Sequence, residues 1–216
     1  MDFDNINKSR EIILEMLKIR GADISPYENQ TQDELNILFQ QHGLKSNSEF
    51  DTLDILVENK KDENKIMIKY LTNNKIRNQN IISCIDEIYE SNIIDKKDVL
   101  VIITRDKINY QGSIVEYINR IFFQNNIFAQ VLCLNNLLFN ITNHELVPKY
   151  RIMTHDEKNE IINKLYLESK EQLPNILITD PVAKFYGVRV GDICEIEYNN
   201  HTNGKNKFYR LCIASN

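Results

Sequence analysis

Thr179-Asp180-Pro181-Val182-Ala183-Lys184-Phe185-Tyr186-Gly187-Val188-Arg189-Val190-Gly191-Asp192 reads as a complete small unit of structure. Asp180 can cap a helix whose N1 residue is Pro181, where a missing N–H costs nothing. Gly187 suits the left-handed residue that stops a helix after about two turns. Gly191-Asp192 then opens a strand, Ile193–Tyr198, and a polar turn around Asn203-Gly204 leads into a last strand, Phe208–Ala214, that pairs back as a hairpin.

Upstream, Thr154-His155-Asp156-Glu157 is a capping box opening a helix through Leu167, and Leu173-Pro174-Asn175-Ile176-Leu177 leads to Asp180. Before Pro148 the pattern differs. Residues 8–20 place Ile12, Ile13, Met16, Leu17 and Ile19 at helical spacing, with Gly21 as the stop. Thr31 and Glu34 form a second capping box, opening a helix with Leu35, Leu38 and Phe39 that ends at Gly43. Strand-like runs follow at Thr52–Val57 and Lys65–Leu71, around the charged turn Glu58–Asn64. Then come a helix striped by Ile81, Ile85 and Ile88, the apolar strand Val99–Ile103, a helix striped by Ile114, Ile118 and Ile121, and the strand Ile127–Leu134. Such alternation predicts a small α/β layered domain over 1–141, a mixed sheet with flanking helices. An α+β domain with short helices and a small antiparallel sheet is expected over 142–216, with no Gly/Ser-rich linker between.

The bulk numbers exclude several classes. Net charge is −5 and no basic stripe is visible, so unaided gripping of DNA is not expected. No apolar run approaches the roughly 20 residues that span a bilayer. The start, Met1-Asp2-Phe3-Asp4-Asn5, is acidic and does not read as a signal peptide. Cys84, Cys133, Cys194 and Cys212 are widely separated, which argues for buried thiols rather than a zinc ribbon. His144 and His155 show no ligand spacing; His144 reads as a hydrogen-bonded hinge residue and His155 as exposed. No metal site, cofactor or phosphate loop is expected.

A second block, Asn140-Ile141-Thr142-Asn143-His144-Glu145-Leu146-Val147-Pro148-Lys149-Tyr150, precedes the first at a definite spacing. Together with Glu171-Gln172-Leu173-Pro174-Asn175-Ile176-Leu177, the two blocks resemble the shared fifth subunit of eukaryotic RNA polymerases and its archaeal counterpart. The likeness is strong over residues 138–198. It is moderate at Arg10-Glu11-Ile12-Ile13-Leu14-Glu15-Met16-Leu17, and elsewhere only the order of elements fits.

The resemblance implies an N-terminal jaw domain beside downstream DNA and a C-terminal assembly domain that docks on the largest polymerase subunit. It implies binding without catalysis. The assembly surface would involve Asp180, Pro181, Val182, Ala183, Tyr186, Gly187, Gly191 and Asp192, with Tyr209 and Arg210 on the closing strand. His144, Glu145, Pro148 and Lys149 would form the domain hinge, and Lys75 and Arg77 would lie near DNA. A cellular copy would work in the nucleus. The AT-biased usage of Asn, Ile and Lys points instead to a large DNA virus, whose copy would occupy the virion and a cytoplasmic virus factory. Two family features are missing. A Thr-Pro-Ser-Ala motif is replaced by Thr104-Arg105-Asp106-Lys107, and a basic Pro-Ser-Glu-Thr-rich turn by Glu197–Lys205.

One enzymatic alternative comes from the residues themselves. An Asp on one strand and an acidic-x-Lys on the next would make a metal-dependent nuclease, with carboxylates holding Mg²⁺ and Lys positioning water. Asp51 and Asp54 supply the first part, but the second strand reads Met67-Ile68-Lys69, and a thioether does not replace a hard oxygen ligand. Glu49 and Glu58 lack the required spacing. Without that activity, Asp51, Asp54 and Lys69 are expected to be solvent-facing strand positions. A helix-turn-helix over 176–192 is disfavoured by its short helix and the lack of a basic recognition helix.

Overall fold

The computed structural model describes residues 3–42, 51–60, 63–71, 77–105, 112–200 and 204–214, with Asn199 and Asn200 described through their backbone alone. Gly43, Glu49, Lys75, Asp106, Lys107 and Asn203, all singled out above, lie outside the described residues. The chain forms two compact units, residues 1–139 and residues 140–216. Together these hold six α-helices and two mixed four-stranded sheets among the described residues.

In the first unit, α1 (Phe3–Ile19) precedes α2 (Gln32–Gln41). The strands are β1 (Ile55–Asn59), β2 (Asn64–Leu71), β3 (Val99–Thr104) and β4 (Phe128–Cys133), in that spatial order. β1 pairs antiparallel with β2, and β2, β3 and β4 run parallel. The parallel strands need crossovers, supplied by α3 (Asn78–Glu90) and α4 (Ser113–Asn125). Ile81, Ile85, Ile88, Ile114 and Ile121 on these helices pack with Met67, Leu100, Ile102, Ala129 and Val131. All of β3 and β4 is buried, as their unbroken apolar character requires.

Helix α1 starts five residues before the predicted boundary, because Ile6 is 1% exposed and extends the buried stripe of Ile13, Met16 and Leu17. The first strand begins at Ile55 rather than Thr52. Thr52 instead turns back, its hydroxyl donating to Leu38 O at 2.7 Å. The outer edge of β1 is covered by local chain: Asp23 N donates to Glu58 O at 2.9 Å, and Leu56 N donates to the Tyr27 hydroxyl at 3.1 Å.

In the second unit, β5 (Lys149–Ile152), β6 (Asn175–Leu177), β7 (Ile193–Asn200) and β8 (Gly204–Ile213) form a sheet in the order β5-β7-β8-β6. Helix α5 (His155–Lys164) covers one face and the short α6 (Pro181–Tyr186) lies against the other. This sheet corrects the expected antiparallel one. β6 pairs parallel with β8, because Leu211 N donates to Pro174 O and Ile178 N donates to Ile213 O. Neither β5 nor β6 stands out in the sequence, and α5 ends at Lys164, short of Leu167. No helix is long and apolar enough to cross a membrane among the described residues.

Candidate functional site

Two places collect the residues that the sequence marks out. The first is a buried polar cluster in the first unit. Asp54 Oδ2 accepts from Lys69 Nζ at 2.8 Å and from Asp51 N at 2.7 Å, while Oδ1 accepts from Tyr70 N at 3.2 Å. The Asp54 and Lys69 side chains are 0% and 2% exposed. His42 Nδ1 lies 2.9 Å from Asp51 Oδ2. Arg10, also buried, donates to Leu53 O at 2.8 Å and to Gln30.

This overturns the expectation that Asp51, Asp54 and Lys69 face solvent. β2 is an inner strand with both faces covered, so Lys69 has no route to water and needs the Asp54 charge beside it. Burial pushes the Asp54 carboxyl up from its ordinary range, against the lowering effect of Lys69. Burial likewise lowers the Arg10 and His42 pKa values. With the Asp54–Lys69 pair closed on itself and Met67 at the second ligand position, the cluster offers no surface to a scissile phosphate. No group of three or more His, Cys, Asp or Glu residues among the described residues is placed to hold a metal ion. All four cysteines are buried free thiols.

The second place is the α6 side of the C-terminal sheet. Asp180 Oδ1 accepts from Val182 N at 2.8 Å and Ala183 N at 3.0 Å, which starts α6 as its sequence dictates. Gly187 ends it at φ +71°, with Val188 N bonded to Ala183 O. Asp192 ties the following turn down: Oδ2 accepts from Arg189 N at 2.9 Å and Oδ1 pairs with Lys158 Nζ at 2.8 Å. Val182 and Ala183 are buried, Ala183 within the unit's own core beside Val188, Cys194 and Cys212. Asp180, Pro181, Gly187, Gly191 and Asp192 therefore act first as builders of the fold.

What α6 leaves open is aromatic. Alternation along the hairpin puts Ile196, Tyr198, Phe208 and Arg210 on the α6 face, because Ile196 is paired with Phe208 and Cys194 with Arg210. Tyr198 and Phe208 meet edge to face at 5.3 Å, 41% and 53% exposed. Tyr150 packs against Tyr186 at 5.8 Å. Burial raises the Tyr150 pKa, with Asp180 and Tyr198 adding and Arg210 opposing, so these groups share one neighbourhood. Tyr209 points the other way, into a charged cluster where Glu195 pairs with Arg151 and Lys207. Tyr150, Tyr198 and Phe208 were not singled out from the sequence. No clean alternation marked Phe208 in the sequence, because Phe208-Tyr209 and Leu211-Cys212 are adjacent pairs.

The four residues expected to form a hinge lie at the start of the second unit. His144 is exposed, its Nδ1 accepting from Leu146 N at 3.2 Å; Glu145 is exposed and Pro148 half-buried. Lys149 is exposed on β5, opposite Glu197. His155 is exposed, as expected. Arg77 is the exposed N-cap of α3.

With this geometry in view, the likeness to known proteins can be placed on it. A family model described as RNA polymerase Rpb5, C-terminal domain, matches residues 139–212, nearly the whole second unit. The DNA-directed RNA polymerase subunit Rpo5 of Methanosarcina mazei is 43% identical over 75 residues, 35% of this chain and 95% of that protein. The subunit rpabc1 of DNA-directed RNA polymerases I, II and III of Dictyostelium discoideum is 43% identical over 77 residues, 36% of this chain but only 39% of that protein. The DNA-directed RNA polymerases IV and V subunit 5B of Arabidopsis thaliana is 23% identical over 209 residues, covering 95% of this chain and 88% of its own length. The chain belongs to the family of fifth subunits of DNA-directed RNA polymerases.

Proposed function

We propose that this chain is a non-catalytic architectural subunit of a multisubunit DNA-directed RNA polymerase, a part of a nucleotidyltransferase complex whose chemistry resides in other chains. Residues 142–216 act as the assembly domain and dock on the largest subunit. Residues 1–141 act as a jaw that braces the downstream DNA channel, with Arg77 and Lys75 on its DNA-proximal side. In a cell it works in the nucleus; a viral copy works in the virion and the cytoplasmic factory.

One observation carries the docking assignment: the part of the C-terminal sheet beyond α6, where Tyr198, Phe208 and Arg210 stand exposed beside Tyr150 and Tyr186. Tyr, Phe and Arg are the residues enriched at the centres of protein interfaces. The opposite face closes its charges on one another, as Arg151–Glu157 and Glu195–Lys207 show. Asp180 and Pro181 serve the interface by holding α6 beside it.

The test is affinity purification of a tagged chain from its native host or infected cells. Wild type is expected near one-to-one with the two largest polymerase subunits, and a Tyr198→Ala/Phe208→Ala variant that stays folded is expected to lose them. Recovery of a lone wild-type chain would overturn the assembly reading. Retention of polymerase by the folded double variant would move the contact to another surface.

A further inference from the structure

We draw no further inference here: the strongest candidate, the adjacent N-termini of α3 and α4 beyond the carboxyl ends of β2 and β3, where Asn78 Nδ2 lies 3.4 Å from Ser113 Oγ and neither helix has a side-chain cap, carries nothing because helix N-termini alone do not define a site and no second feature of the structure points to a ligand there.

Discussion

Asp54, the residue just before β1, and Lys69 on β2 face each other with Oδ2 and Nζ 2.8 Å apart and both side chains shut off from solvent. A pair of this kind contributes little net stability relative to a well-packed apolar pair, but removing one partner strands the other charge. Asp54→Ala is therefore expected to destabilise the first unit by about 3–5 kcal/mol. Asp54→Leu/Lys69→Met should recover a large part of that loss. Urea unfolding of the three proteins decides it. A single-variant loss under about 1 kcal/mol would mean that the cluster admits water and that the burial argument does not hold.

Gly187 closes α6 in the left-handed region at φ +71°. An L-residue pays roughly 1–2 kcal/mol to sit there, and Asn less. Gly187→Ala should lower the stability of the second unit by that amount, and Gly187→Asn by less. Asp180→Ala removes the acceptor for two backbone N–H groups and should cost about 1 kcal/mol. Denaturant midpoints should follow the order wild type, Gly187→Asn, Gly187→Ala; equal midpoints would show that the backbone relaxes out of this conformation.

Lys184 is 9% exposed on α6, and burial lowers its pKa from 10.5 to about 8. Between those values the unfolded chain holds a proton that the folded chain has released, so stability rises with pH across the window. Below about 8 both states are charged and the full cost of burial remains. The thiols of Cys194 and Cys212, pushed by burial from 9.0 to about 12, act in the opposite sense above pH 9, so the useful range is pH 7 to 9. There the stability of Lys184→Met relative to wild type should fall as pH rises, because only wild type gains stability across the window. A constant margin would assign the effect to packing rather than to charge.

Residues 140–216 should fold alone. The sheet carries an apolar cluster on each face, Met153, Ile161, Leu173, Ile193 and Leu211 on one and Ile176, Ala183, Val188, Cys194 and Cys212 on the other. A relative that the chain covers to 95% matches over 75 residues. A cooperative thermal transition and dispersed amide resonances for the isolated unit are the expected result; a spectrum collapsed into the random-coil range would show that it needs the preceding residues.

Local chemistry was legible in the sequence. The boxes at Thr31/Glu34 and Thr154/Glu157 form as their spacing dictates, each hydroxyl accepting from the backbone N–H three residues on. Asp180 caps and Gly187 stops α6 for the same reason: the partners lie within a few residues, so the chain has little freedom to choose others. The apolar run Val99–Ile103 likewise announced a strand covered on both faces. Periodicity was less informative at chain ends and short strands. Ile6 joined α1 across a polar interval, and a three-residue strand after Pro174 has too few positions to show alternation.

The sequence by itself determined the helices with capping boxes, the end of α6 and the buried strand Val99–Ile103, since capping, helix termination and hydrophobic period depend on neighbours a few residues apart; the family came from the resemblance of the blocks at residues 140–150 and 171–192. Tertiary structure alone decided that Lys69 is buried against Asp54 and that β6 joins β8 in parallel. It also decided that Phe208 and Tyr198 stand in the open while Ala183 and Val182 face inward. Those outcomes join residues well separated along the chain, or depend on what covers a surface. Exposure is a property of the packed chain, and no residue's own chemistry specifies which neighbours will cover it.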